Sequence, residues 1–122
     1  MKIFRKLYYN IKYFIQRGKR GYSDFDIMDF DTYLLELIPN ALKDFNNKRD
    51  TYPSELSDEE WGSVLNEIIT SFENANDIAV VSISADEENQ KMNKIKEKKE
   101  YLQKNLEKGF ELLLKYFHDL WY

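Results

Sequence analysis

Apolar residues recur every three or four positions through most of this chain, and few residues that break helices interrupt them. The 122 residues include two prolines and four glycines. Four segments show the spacing that gathers apolar side chains on one face of a helix, and no pair of strand-like segments is present. We therefore predict an all-α fold: a single domain, residues 1–122, formed by a bundle of about four helices with a long C-terminal helix.

The first two predicted helices meet at a glycine-rich corner. A basic helix spans residues 2–17 and ends at Gly18 and Gly21. Ser23 or Asp24 then begins an acidic helical body, residues 24–76. Pro39 lies inside this body and lacks an amide donor, which predicts a kink or a break near Leu37.

Later boundaries follow from polar and capping residues. The polar stretch 46–56 predicts a loop, and Ser57 to Glu60 forms a capping box that starts a helix with Trp61 on its apolar face. The long C-terminal helix covers about 86–120, with Gly109 interrupting its apolar seam. Residues 78–85 alternate like a strand, but lack a partner strand, so a helix extension or an ordered linker is favoured.

Charge is distributed unevenly along the chain. Residues 1–21 contain seven Lys or Arg and no acid, whereas residues 22–88 contain seventeen acids and three bases. Such a dipolar molecule can steer an anionic partner to its basic end or pair with another copy of itself. We therefore predict a homo-oligomer. The lysine-rich stretch 91–104 also contains acids, which is typical of a solvated helix face.

Several chemistries are not supported by the sequence. No cysteine is present, so disulfides and thiolate metal sites are excluded. The apolar stretch 8–15 is too short to span a bilayer and lacks a cleavage site, so we expect no membrane partner and a location in the cytoplasm of the host cell. No nucleophile has a recognisable base partner, and the chain is predicted not to be an enzyme and to use no cofactor.

Two groups of residues could suggest a metal site. Asp24, Asp26, Asp29 and Asp31 are close in sequence, but the glycine and bidentate glutamate of a calcium-binding loop are missing. Helix caps and a favourable first-turn charge explain them better. The sole histidine, His118, has no cysteine or second histidine to complete a zinc site. No metal site is predicted.

Arg17, Lys19, Arg20 and Tyr22 form the best candidate ligand-binding cluster, which we call the basic corner. Guanidinium groups beside an aromatic ring can hold phosphates and stack on a base, which suits a nucleotide or a nucleic-acid strand. Alternatively, Arg17 and Arg20 pair with the aspartates just downstream and fix the corner between the first two helices.

Aromatic residues are dense at the C-terminus. They belong to the core or to a partner groove, and a small monomer has difficulty covering all of them. The interface candidates are Phe110, Phe117, Trp121 and Tyr122.

Short motifs in a fixed order resemble a family of small proteins of tailed bacteriophages that have no assigned activity. They are Arg20-Gly21-Tyr22-Ser23-Asp24, Phe30-Asp31, Tyr33-Leu34, Ile38-Pro39, Tyr52-Pro53, Glu59-Glu60-Trp61, Gly109-Phe110-Glu111-Leu112, Tyr116-Phe117 and Leu120-Trp121. Met28 stands where relatives tend to have Trp. The resemblance covers most of the chain and implies a phage or prophage origin and an all-helical fold.

The resemblance and the missing catalytic set indicate a function in binding. The favoured interpretation is an accessory protein that neutralises a host defence, by capping a defence protein or by sequestering a small nucleotide signal. A virion or assembly component is the structural alternative. A regulator that contacts nucleic acid is the third, weakened by the net charge of −4.

Overall fold

The computed structural model describes residues 2–83 and 89–121, with the side chains of these residues other than 77–83 and 89–95. In this part of the chain the secondary structure is entirely helical, which confirms the predicted all-α fold with its long C-terminal helix. The helices are α1 (Lys2–Arg20), α2 (Asp24–Met28), α3 (Phe30–Lys48), α4 (Asp58–Ile83) and α5 (Asn89–Lys115), followed by a short 3₁₀ helix (Phe117–Asp119).

The ambiguous segment 78–85 is helical as far as it is described. Residues 78–83 continue α4, in agreement with the favoured helix extension, and Ser84 and Ala85 lie outside the described residues. Contacts between residues divide the chain into two compact units, Met1–Leu34 and Leu35–Tyr122. The single domain stays a prediction.

In the first unit, α1 runs three residues beyond its predicted end at position 17. Gly18 lies inside the helix, because an isolated glycine costs a helix only about 1 kcal/mol. Gly21 ends α1 instead. Its φ of 86° is a left-handed conformation that glycine adopts without strain, and its amide donates to the carbonyl of Arg17 at 3.0 Å.

The acidic body is interrupted at a different place from the predicted one. Ser23 caps α2 as expected, but the chain leaves helical geometry at Asp29, and α3 starts at Phe30. Of the predicted kink or break near Leu37, the break was wrong: α3 continues through Pro39 to Lys48, three residues into the predicted loop. Pro39 is buried, so packing can offset the single hydrogen bond that proline removes.

In the second unit, α4 supplies the centre of the core. Trp61, Leu65, Ile68 and Phe72 are completely buried, as the apolar spacing after the capping box predicts. The Ser57 hydroxyl accepts a hydrogen bond from the Glu60 amide at 3.1 Å, which confirms that Ser57 caps α4. Ile69 of α4 and Leu42 of α3 complete the buried cluster. Leu102 of α5 is also buried.

Gly109 lies where α5 packs against α4. A Cβ atom at this position would lie 2.9 Å from the Cβ of Ser71 and 3.4 Å from the Phe72 ring. Such a distance is too short for two carbon atoms. The absence of a side chain at Gly109 therefore lets the two longest helices approach each other.

Arg49 joins the end of α3 to the start of α4. Its guanidinium donates to the Asn46 side chain at 2.8 Å, to the Thr51 carbonyl at 3.2 Å and to the Asp58 carboxylate at 2.6 Å. The Arg49 side chain is 9% exposed, whereas that of its partner Asp58 is 69% exposed. These bonds hold the connecting loop in place.

Within the described residues, no helix is both long enough and apolar enough to cross a membrane.

Candidate functional site

Arg17 of the basic corner makes a structural contact with Asp26. Its Nε donates to Oδ2 of Asp26 at 2.9 Å, and its Nη2 donates to Oδ1 at 2.6 Å, so the guanidinium binds the carboxylate in a bidentate manner. The Asp26 side chain is 3% exposed, whereas that of Arg17 is half-exposed. This contact joins α1 to α2.

Asp26 is also part of a capping box with Ser23. The Ser23 amide donates to Oδ2 of Asp26 at 2.8 Å, and the Asp26 amide donates to the Ser23 hydroxyl at 3.1 Å. The hydrogen bonds from Arg17, followed by those from Ser23, hold the pKa of Asp26 well below its usual range despite the opposing effect of desolvation. Hydrogen bonding to Asp26 in turn raises the pKa of Arg17.

Arg20 makes a second ion pair at the corner. Its Nη2 donates to Oδ1 of Asp24 at 2.6 Å, and its Nε donates to the Tyr22 carbonyl at 2.9 Å. The guanidinium carbon lies 4.6 Å from the centre of the Tyr22 ring, a cation–π contact. The pKa of Asp24 is lowered, first by the hydrogen bond from Arg20 and then by that from Gln16.

The predicted residues of the basic corner therefore interact mainly with each other and with nearby aspartates. Arg17 and Arg20 pair with aspartates just downstream, as the alternative interpretation expects, and Tyr22 lies under Arg20. Lys19 makes no ion pair with a described residue. Among the cluster's four members it is the one best placed to meet an external anion.

Lys19 borders an open groove of about 500 Å³ on α1. The groove combines apolar walls with three cationic side chains and one amide. Its lining residues are Tyr8, Ile11, Lys12, Ile15, Gln16, Lys19 and Arg20. Lys12 and Lys19 carry charge without an ion pair among the described residues, so the groove can accept an anionic group beside an apolar one.

The four aspartates of the predicted cap region do not converge. Asp24 and Asp26 bind Arg20 and Arg17, and Asp31 accepts from the Thr32 amide at 2.9 Å. The pKa of Asp31 is lowered, first by a hydrogen bond with Asp29 and next by the Thr32 amide. Within the described part of the chain, no group of three or more histidine or acidic side chains is arranged to hold a metal ion.

A second candidate surface lies at the end of the second unit. Phe110, Phe117 and Trp121 are all exposed, at 47%, 59% and 65%, and Leu114 is 78% exposed. We call these four residues the C-terminal apolar patch. Phe110 and Leu114 are four residues apart on α5 and so share a helix face. All four exposed apolar residues fall within positions 110–121 of the sequence, and exposed apolar groups of this size indicate a contact surface.

Two residues of the patch, Phe110 and Trp121, contact other parts of the second unit. The Phe110 ring contacts the buried Phe72 ring edge-on, with centroids 5.0 Å apart. Trp121 is held by its backbone, because the Thr51 hydroxyl donates to its carbonyl at 3.1 Å. Tyr116 is not part of the patch and packs edge-on against Trp61 in the core. Tyr122, the fourth predicted interface residue, lies outside the described residues.

Sequence reasoning missed Leu114. Its neighbours Leu112 and Leu113 pack against the core, and the run of three leucines does not show which one points outward. The four-residue spacing from Phe110 was the available signal. Exposure in the folded chain resolves the ambiguity.

Comparisons with protein-family models, with curated proteins and with solved structures gave no match to this chain.

Proposed function

We propose that this chain is a bacteriophage accessory protein that acts by binding and not by catalysis. In this proposal it neutralises a host defence in the host cytoplasm by capping a defence protein with the C-terminal apolar patch. One observation carries the proposal: Phe110, Leu114, Phe117 and Trp121 are large, apolar and exposed.

The chemistry of the patch suits a protein surface. Interfaces between proteins are enriched in aromatic side chains and depleted in charged ones at their centres. Rings and leucine side chains supply binding energy by leaving water, which requires an apolar counterpart on the partner. A capping protein of this kind needs no catalytic group.

A nucleotide signal is the second candidate partner, and the α1 groove favours it. Its volume of about 500 Å³ lies in the range of small-molecule sites, and Lys12 and Lys19 can meet phosphates beside the Tyr8 ring. Two observations weaken this candidate. The groove is open, and the guanidinium groups of Arg17 and Arg20 are already paired with carboxylates.

Self-association belongs to the same proposal. When no target is bound, the patch closes against a second copy, which gives the predicted homo-oligomer. A virion component would instead co-purify with phage particles, and a nucleic-acid regulator would bind DNA or RNA in a salt-dependent manner.

The test measures phage plating on host strains that each carry one defence system. Expression of the chain should restore plating of a phage that the defence restricts, and the defence protein should co-purify with it. Because the patch is apolar, the complex should hardly weaken between low and high salt. If no defence in the panel is relieved, or if the chain is recovered with phage particles, the proposal is wrong.

A further inference from the structure

Helix α1 separates its apolar and polar side chains into two faces. At about 100° per residue, its large aliphatic side chains and two phenylalanines fall within an arc of about 120°. These residues are Ile3, Phe4, Leu7, Ile11, Phe14 and Ile15, and we call them the α1 apolar face. Gly18 is the one further residue whose position falls in this arc.

The α1 apolar face is open to solvent. Ile3 is 79% exposed, and Phe4 and Phe14 are each 77% exposed. No residue of α1 is buried. A helix in water rarely leaves a whole apolar face unpartnered, so this face has a binding role.

Within the first unit, α2 contacts α1 away from this face. The Tyr13 ring contacts the Phe25 ring with centroids 5.8 Å apart. Gln16 and Arg17 bind Asp24 and Asp26. At about 100° per residue, Tyr13, Gln16 and Arg17 all fall outside the apolar arc. The contacts that join α2 to α1 therefore leave the apolar face uncovered within the unit.

The remainder of α1 is strongly cationic. The first 21 residues hold seven bases and no acid, and all seven lie outside the apolar arc. Arg17 and Arg20 are paired with aspartates. Five bases make no ion pair with a described residue: Lys2, Arg5, Lys6, Lys12 and Lys19. The unpaired positive charge extends along the length of the helix.

We propose that α1 is an interfacial helix that lies on an anionic lipid surface, with its apolar face among the acyl chains and its lysines against lipid phosphates. A bilayer presents an apolar layer directly beside a layer of negative charge, along the whole length of a helix. This arrangement matches both faces of α1 at once.

A second copy of the chain matches α1 less well. One apolar groove of the second unit is bordered by Lys99 and Glu100, whose opposite charges give no net attraction for a basic helix. Binding to a lipid surface requires neither a spanning nor a cleaved segment, so it is compatible with the absence of a membrane-crossing helix among the described residues. It does not depend on the capping function, which uses a different surface. Lys12 and Lys19 here bind lipid phosphate rather than a free nucleotide.

Vesicle sedimentation with the full chain tests the proposal. Vesicles of phosphatidylcholine containing phosphatidylglycerol should bind the chain at least about tenfold more tightly than vesicles of phosphatidylcholine alone, and salt should weaken the binding. Phe4→Gln with Phe14→Gln should reduce binding by a similar factor, because the apolar face then no longer inserts. Lys12→Gln with Lys19→Gln should remove much of the preference for anionic vesicles.

Matched controls use exposed residues of the second unit that lie outside the C-terminal apolar patch. Tyr52→Gln with Tyr101→Gln removes two exposed aromatic side chains, and Lys96→Gln with Lys98→Gln removes two exposed charges. Both controls should bind vesicles as the unmodified chain does. Circular dichroism of every variant should show unchanged helix content, so that loss of binding is not loss of folding.

The orientation of the helix gives an independent readout. A tryptophan placed by Phe4→Trp should be quenched by lipids that carry a spin label in the acyl chain, whereas one placed by Tyr9→Trp, on the opposite face, should not. Equal quenching at both positions would overturn the proposal. So would an absence of vesicle binding, binding that ignores the phenylalanine changes, or self-association through α1 in place of vesicle binding.

Discussion

Arg17 and Asp26 form a bidentate ion pair, with Nε to Oδ2 at 2.9 Å and Nη2 to Oδ1 at 2.6 Å, that joins the basic helix α1 to the short acidic helix α2. The carboxylate is almost completely buried, and the arginine is half-exposed. One residue of the predicted ligand-binding cluster thus acts chiefly in folding the first unit.

The first prediction concerns this pair. Arg17→Ala should leave the buried Asp26 carboxylate without its main donor, so α2 should open from α1 more often. Hydrogen–deuterium exchange of amides 23–28 should become faster. Arg20→Ala is the matched control, because its partner Asp24 is exposed, and it should change exchange less. If the two changes speed amide exchange equally, the Arg17–Asp26 pair stabilises α2 no more than the exposed Arg20–Asp24 pair does.

The second prediction concerns pH. Because folding lowers the pKa of Asp26, its contribution to stability is complete above its unfolded pKa of about 4 and is lost as the pH falls towards the folded pKa. Amides 23–28 should therefore exchange faster, relative to the intrinsic rate, below about pH 4. The Asp26→Asn variant should lack the part of this acid response that comes from protonation of Asp26. An identical acid response in the variant would assign the transition to other carboxyl groups.

The third prediction compares two glycines within helices. Gly109→Ala places a Cβ atom 2.9 Å from that of Ser71, so we expect a loss of about 1 to 3 kcal/mol through overpacking. Gly18→Ala has no atom within 4 Å of its new Cβ and should stabilise α1 by about 0.5 to 1 kcal/mol. Urea unfolding measures the loss of stability in Gly109→Ala. Helix content followed during heating measures the gain in Gly18→Ala. Tolerance of alanine at Gly109 would contradict the close approach of α4 and α5.

The fourth prediction concerns self-association. Light scattering at micromolar concentration should report a mass above the 14.7 kDa of one chain, and Leu114→Gln should shift the distribution towards the monomer. Trp121→Ala should do the same if its ring contacts the second copy. A monomer at all concentrations would contradict the homo-oligomer, and a shift caused equally by Tyr101→Gln would exclude the patch as its interface.

Much of the fold could be predicted because helical periodicity and capping are local properties. The segment from Ser57 to Phe72 contains its own start signal and its own apolar face, and both are present in the structure. The break at Asp29 and the continuity through Pro39 could not be predicted in the same way. Pro39 is buried, so its packing can offset the hydrogen bond that proline removes, and a local sequence pattern does not show this.

The candidate site was predicted less well than the fold. The sequence identified Arg17 and Arg20 but left open whether they bind a ligand or downstream aspartates, since both roles require the same residues. Their geometry favours the second role. Leu114 was missed because it follows Leu112 and Leu113 directly, and only exposure in the folded chain distinguishes the three leucines.

The most direct test of the binding account is phage plating with a single change in the C-terminal apolar patch. Leu114→Gln should reduce the restoration of plating, and the recovery of the defence protein, by more than about tenfold, because it removes an exposed anchor of the interface. Tyr101→Gln, a change of the same kind elsewhere on α5, should leave both unchanged. Full activity of the Leu114→Gln variant would contradict the account.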